Sequence, residues 1–397
     1  MIALLRAQPN FRRFWVGQVI SQLGDRVYSL TLLWIVYQWT GSGLAVAAVM
    51  IATTLPGVIV GPLAGSLADR WNRQWILVAA DLCRAALMGW LAWAAAVQVL
   101  DLPRLLVVSA LQSVAAAFFN PTALALLPNL VPAPDLTRAN AMNQLSANTS
   151  GVLGPLLGSG LIALIGAPLA FLANGLSYVW SAAFETIMRL PPGAPPRRQS
   201  IWADLHEGWQ AAAGQPLVRG MLGPIVVVNF FFTALVVLVP VLADGVYRSG
   251  AVGLGLLMSS FGLGMLAGAV GLSALPLRVG RGVLVIGGTL AVGLAFLAMA
   301  SVLVLPVTMV GLLVVGLALN VVNISLISLY QQIIPDALRG KVFGLITALS
   351  LSLQPIAYGV MGALIDLLSP RAIFLACGLV IAANGLVLLR LRELRKV

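Results

Sequence analysis

The stretch Gly65-Ser66-Leu67-Ala68-Asp69-Arg70-Trp71-Asn72-Arg73-Gln74 is a charged break between two long apolar runs. Asp69, Arg70 and Arg73 cluster in a chain where charge is scarce, with 9% of residues charged and 60% hydrophobic. A soluble domain carries about 25% charged residues. The apolar runs on either side, 43–64 and 75–97, are each long enough to cross a hydrocarbon core of about 30 Å as a helix. A break this short and this charged reads as a tight hairpin between two membrane-spanning helices.

Working outward, the same pattern repeats along the whole chain. Twelve spans are expected, at 11–39, 43–64, 75–97, 103–127, 139–165, 168–188, 216–241, 252–275, 283–303, 306–333, 342–368 and 372–389. The separators are turn chemistry: Thr40-Gly41-Ser42-Gly43, Asp101-Leu102-Pro103, Gly166-Ala167-Pro168, Ser249-Gly250 and Ser369-Pro370. The strand-length alternation of a β-barrel is missing from the pattern. The first span is too long for a signal-peptide core and lacks a cleavage pattern after it, so it is expected to stay. Cys83 and Cys377 both lie in apolar runs and read as small buried apolar residues, with no disulfide or metal framework.

The basic residues orient the spans. With the N-terminus inside, only Arg104, Arg248 and Arg371 of the 23 Lys and Arg face outward, and Arg26 and Arg84 fall within spans. The remainder lie on the inner side, which is the positive-inside asymmetry expected of twelve spans with both termini in the cytoplasm. The net charge of +11 is scattered singly between spans. It therefore fits topology better than a nucleic-acid-binding stripe.

A polar segment at 191–215 divides the chain into two six-span halves, 1–190 and 216–397, with 191–215 as a cytoplasmic central loop. The halves are weakly alike. Leu275, Arg278 and Arg281 repeat Leu67, Arg70 and Arg73, while Leu277 stands where Asp69 would. Parallel six-helix repeats are a transporter architecture.

The hairpin Gly65 to Arg73 resembles the loop between spans two and three of the major facilitator superfamily, with Asn72 where the usual form has a glycine. The resemblance covers the whole chain. It implies an all-α membrane protein of twelve helices in two pseudo-symmetric six-helix bundles. Gln22-Leu23-Gly24-Asp25, the stretch from Phe119-Asn120-Pro121 to Arg138-Ala139-Asn140, and Ile334 to Gly344 are similar to a bacterial exporter branch that includes enterobactin-type siderophore exporters and macrolide efflux proteins. Lysophospholipid transporters share similar patterns. Gly154, Pro155 and Gly158 resemble the glycine-proline motif of drug/proton antiporters, with Ser150 where a first glycine is frequent.

Asp25 is the sharpest candidate. It lies roughly 18 Å into the first span, where an acid is costly unless it meets a cavity or a partner. Burial favours the protonated form, so the acid reads as a proton-coupling carboxylate. The plain alternative is a static pair with a base, for which the adjacent Arg26 points the wrong way. Gln18 and Gln22 continue a polar stripe along the same span. Gln112, Asn120, Asn148, Asn229, Asn320, Asn323, Gln354 and Tyr358 extend the set of candidate cavity residues to other spans. Helix–helix hydrogen bonding is the competing account for each. The resemblance implies that spans three, six, nine and twelve lie outside the cavity. Span six departs from that with Asn174, Ser177, Ser181 and Glu185, which the sequence leaves without a role. Gly65, Asp69, Arg70 and Arg73 are expected to form a gate latch toward Arg339 and Lys341, with Asp81 and Arg84 pairing together or joining it.

The expectation is a secondary active transporter of the bacterial inner membrane, working as a monomer in the lipid bilayer. It would exchange protons for an amphipathic small molecule, a drug or a siderophore, by alternating access. A lysophospholipid flippase or importer is the alternative within transport, and a non-transporting sensor or scaffold the alternative outside it. No phosphate loop, metal cluster or nucleophile–base set occurs in the sequence, so neither a cofactor nor enzyme chemistry is expected.

Overall fold

The computed structural model describes residues 2–68, 71–188, 201–274, 279–334, 336–391 and 394, and these form helices joined by short turns. The helices are α1 (Ile2–Ala7), α2 (Pro9–Thr40), α3 (Gly43–Ala68), α4 (Arg73–Ala96), α5 (Leu102–Leu130), α6 (Leu136–Thr186), α7 (Ile201–Gly214), α8 (Pro216–Pro240), α9 (Gly250–Ala274), α10 (Arg281–Ser301), α11 (Leu305–Ile333), α12 (Asp336–Leu367) and α13 (Pro370–Leu388). Among the described residues, ten of the segments are long and apolar enough to cross a membrane.

Two further spans follow from physical argument. Helix α2 has 32 residues, ample for a crossing, and its polar stripe is what lowers its hydropathy. Helix α6 has 51 residues, about 77 Å if straight, far more than one crossing needs. It breaks at Gly166 (φ 79°), a left-handed conformation that glycine adopts without a Cβ penalty. Near its start, the Met142 carbonyl accepts from the Trp15 indole at 3.3 Å. Near its end, the Ile187 carbonyl accepts from Arg13 at 3.1 Å. Both ends of α6 therefore meet the same end of α2, so the chain doubles back and twelve spans result.

The turn residues start and stop helices as their chemistry requires. Asp101 and Ser369 cap α5 and α13, accepting from the backbone N–H groups of Arg104 (3.0 Å) and Ala372 (3.3 Å). Asn72 caps α4 through the Gln74 N–H at 3.0 Å. Gly41 and Gly250 supply positive φ at two other breaks.

The chain divides into two compact units, one of residues Met1–Trp39 with Ala48–Arg197, the other of Thr40–Ala47 with Arg198–Val397. The first unit packs Phe11, Phe14, Leu77, Leu126, Leu130 and Met142 into one apolar core. The second packs Leu217, Val218, Val285, Leu329, Val342 and Leu388. The first turn of α3 is held within the second unit by Asp366. That carboxylate accepts from Ser42 Oγ (2.6 Å) and from the N–H groups of Gly43 (2.5 Å) and Leu44 (3.1 Å). It meets the partial positive charge of a helix start.

The internal repeat is visible as a shared contact. Arg73 at the start of α4 donates to the Ala125 carbonyl near the end of α5 at 2.9 Å. Arg281 at the start of α10 donates to the Ser328 carbonyl near the end of α11 at 3.4 Å. The two arginines matched by sequence thus tie equivalent helices together.

Candidate functional site

The first unit contains a buried group of charges on α2, α4 and the second arm of α6. Asp25 lies near the middle of α2. Both of its carboxylate oxygens accept from Arg84 Nη2, at 3.0 and 3.2 Å. Arg84 also reaches Asp81, one turn back on α4, at 3.3 Å. One guanidinium is therefore shared by two carboxylates. The arginine side chain is 9% exposed and that of Asp81 0%, while Asp25 keeps 37% of its surface open. Charge-assisted bonds of this kind are the strong ones, and a charge this deep needs them.

Aromatic rings complete the seat of Arg84. Its guanidinium lies 4.1 Å from the ring centre of Tyr178 and 5.5 Å from that of Phe119. Desolvated cation–π contacts are worth about 2 kcal/mol. The Tyr178 hydroxyl donates to Asp25 and accepts from Gln112 Nε2 at 3.2 Å. Tyr28 bonds Ser109 at 3.2 Å beside them.

The unassigned polar residues of the sixth span belong to this group. Asn174, Ser181 and Glu185, with Tyr178 among them, recur at helical spacing, so they form one stripe, and each is buried; Ser177 bonds Asn174 at 3.0 Å. Gln18 on α2 donates to Ser181 Oγ at 3.3 Å and to Glu185 Oε1 at 3.5 Å. Ser181 bonds Glu185 at 3.4 Å. The stripe could have been read from its spacing. What it faces could not, because a single helix does not say which neighbours meet it.

Glycines let α2 come close to α6. A Cβ on Gly158 would stand 3.2 Å from the Val27 Cα, and one on Gly154 would strike the Arg26 side chain. Pro155 between them is buried. In the structure the antiporter-like motif is therefore a packing surface for the helix that carries Asp25. Gly65, by contrast, has nothing within 4 Å of such a position among the described residues.

The second unit holds a cavity of about 540 Å³ with no charged group among the described residues of its lining. Asn229, Asn320 and Asn323 lie on its wall with Phe232, Phe261, Tyr330, Thr347 and Ser350. Asn320 Oδ1 and the Tyr330 hydroxyl are buried without a partner among the described residues. Spans nine and twelve contribute too, through Thr289 and Asn384. The cavity opens among the unit's own helices, so these two spans reach it from within the unit.

Other expected residues are dispersed. Gln22 is half-buried, with Oε1 unpartnered among the described residues. Asn120 is exposed, and Asn148 accepts from Gln144 at 3.0 Å along its own helix. Gln354 is half-buried and Tyr358 buried, and neither lines the cavity of the second unit. Asp81 and Arg84 pair with each other, one of the two arrangements the sequence offers, and Arg84 also reaches Asp25. Asp69 and Arg70 lie outside the described residues, as do the side chains of Arg339 and Lys341.

Known proteins share this architecture. The family model of the Major Facilitator Superfamily matches residues 14–356. The multidrug efflux pump Tap of Mycobacterium tuberculosis (strain ATCC 25618 / H37Rv) is 28% identical over 394 residues, covering 96% of this chain and 92% of that protein. The uncharacterized MFS-type transporter YfiS of Bacillus subtilis (strain 168) is 27% identical over 406 residues, covering 97% and 94%. The crystal structure of a bacterial homologue of the iron transporter ferroportin, in an inward-facing state, superposes with a TM-score of 0.74 at 18% identity, covering 96% of this chain and 98% of that one. At that identity the likeness is one of fold.

Proposed function

This chain belongs to the Major Facilitator Superfamily, and on that premise we propose that it exports amphipathic small molecules in exchange for protons. The observation that carries the reading is the Arg84 guanidinium shared between Asp25 and Asp81 at membrane depth. An intramembrane carboxylate paired to a base and partly open is a natural proton site. Protonating Asp25 leaves Arg84 paired with Asp81, so the proton can enter without stranding the cation. An exchange of partners between α2 and α4 then links proton binding to helix position. The similarity to a multidrug efflux pump supports export.

The uncharged cavity of the second unit supports an amphipathic substrate. Its volume of about 540 Å³ suits a drug-sized molecule, and its amides and hydroxyls suit neutral polar groups on an apolar body. The asymmetry of basic residues supports placement in a bacterial inner membrane with both termini cytoplasmic. The hairpin acid Asp69, with Arg70, serves in this reading as a latch toward Arg339 and Lys341.

The test is a substrate panel in proteoliposomes, with and without an imposed pH gradient, containing a macrolide, a catecholate siderophore and a lysophospholipid. Gradient-stimulated movement of the macrolide or the siderophore, abolished by Asp25→Asn, is expected. Movement of lysophospholipid alone would replace the export reading with the lipid-transport one. Equal movement with and without the gradient, in both wild type and variant, would remove proton coupling.

A further inference from the structure

We propose that Glu185 holds a proton against Ser181, as a second proton-binding site that sets how firmly Arg84 holds Asp25. The inference rests on the coupling role just assigned to Asp25.

The argument begins with charge. Three carboxyl groups, Asp25, Asp81 and Glu185, lie where α2, α4 and α6 meet, against one guanidinium. Arg84 reaches Asp25 and Asp81 but makes no bond to Glu185. The Glu185 side chain is fully buried, and its contacts are the neutral donors Gln18 and Ser181. Its Oε2 and the Oδ2 of Asp81 have no partner among the described residues. An ionised carboxylate in such a place is too costly to keep without a cation. The geometry instead suits a proton on Glu185, whose Oε1 lies 3.4 Å from the Ser181 hydroxyl.

Among the described residues, the charged neighbours of Glu185 are few. Helix α4 presents Asp81 and Arg84. Helix α2 presents Gln18, with Arg13 further out on the Ile187 carbonyl. Helix α5 carries only Arg104, near its far end. Water is close, because the bonds from Gln74 to the Thr186 carbonyl and from Arg13 to the Ile187 carbonyl are exposed. Glu185 thus sits one turn beneath the end of the first unit that carries the N-terminus. Asn174, at the other end of the stripe, is about 16 Å further in.

The step balances as proton binding alone: Glu185 takes a proton from the water near the Thr186 and Ile187 carbonyls and returns it there, and no other bond changes. With Glu185 neutral, Arg84 answers only Asp25 and Asp81. Loss of that proton sets a third anionic carboxylate beside the same guanidinium and loosens its hold on Asp25. Protons thereby gain an entry apart from the substrate cavity.

Infrared difference spectroscopy on the full chain in lipid nanodiscs, between neutral and alkaline pH, tests this without a transported substrate. Wild type should show a protonated-carboxyl band that Glu185→Gln abolishes. Glu185→Asp should retain it at a shifted position, and Asp25→Asn should leave it in place. Glutamine keeps hydrogen bonds to Gln18 and Ser181, so the variant should fold, which gel filtration checks. A band unchanged in Glu185→Gln but lost in Asp25→Asn overturns the second site and leaves the coupling role of Asp25 standing. A spectrum that neither variant alters overturns both.

Discussion

Replacing Arg84 by methionine tests the energetic logic of the buried group. The side chain is 9% exposed and satisfies two carboxylates, one of them fully buried. Removing one partner of a buried pair costs about 3–5 kcal/mol, because the other is left uncompensated. Asp25→Asn should cost less, about 1–2 kcal/mol. Asp25 is 37% exposed, and Arg84 retains Asp81 at 3.3 Å when it is gone. The decisive quantity is the double variant. With Arg84 already absent, Asp25→Asn removes a stranded charge, so its further cost should vanish or change sign. The coupling energy should then be roughly 1–2 kcal/mol, typical of residues in direct contact. The assay is thermal unfolding of the purified protein in one detergent at one pH. For a unit of this size each kcal/mol moves the midpoint by about 2–4 °C, so Arg84→Met should lower it by roughly 6–20 °C. Additive losses in the double variant, or an Arg84→Met midpoint within about 2 °C of wild type, would refute the shared-guanidinium account.

Two further outcomes are expected. Asp366→Ala should lower stability by about 1–2 kcal/mol through loss of a helix cap, while Asp366→Asn keeps most of it; thermal unfolding with no loss in the alanine variant would dismiss the cap. Asp69→Asn should reduce transport in proteoliposomes, and combining it with Lys341→Gln should give less than the product of the two single effects; independent effects would remove the latch.

The fold was legible because each of its signals is local. Twenty apolar residues declare a span wherever they occur, and Asp101, Gly166 and Ser369 each end or start a helix by chemistry within a few residues. The hairpin at Gly65 to Gln74 needed only its flanks. Asp25 was legible for the same reason, as an acid where acids are expensive. Its partner was not. Arg84 lies 59 positions away, and sequence spacing ties it to Asp81 on its own helix and says nothing of α2. Glu185 was visible as an exception without a cause until α6 was seen to fold back at Gly166 and bring its second arm against Gln18. Asp366 drew no attention, since an acid at a span end needs no explanation until the first turn of α3 is found beside it.

The paired contacts of Arg73 and Arg281 bear on how such a chain could have arisen. If the halves descend from one duplicated segment, both descendants kept the arginine that ties the beginning of one helix to a carbonyl near the end of the one that follows. Only one kept the acid, at Asp69, while its counterpart became Leu277. The ancestral hairpin then held two separable duties. Anchoring helices is needed by every copy, because each half must be built; the latch proposed for Asp69 would be needed once. Descent with loss of the second duty and retention of the first would leave the present pattern, and chimaeras carrying the 65–73 hairpin in both positions would retrace that history.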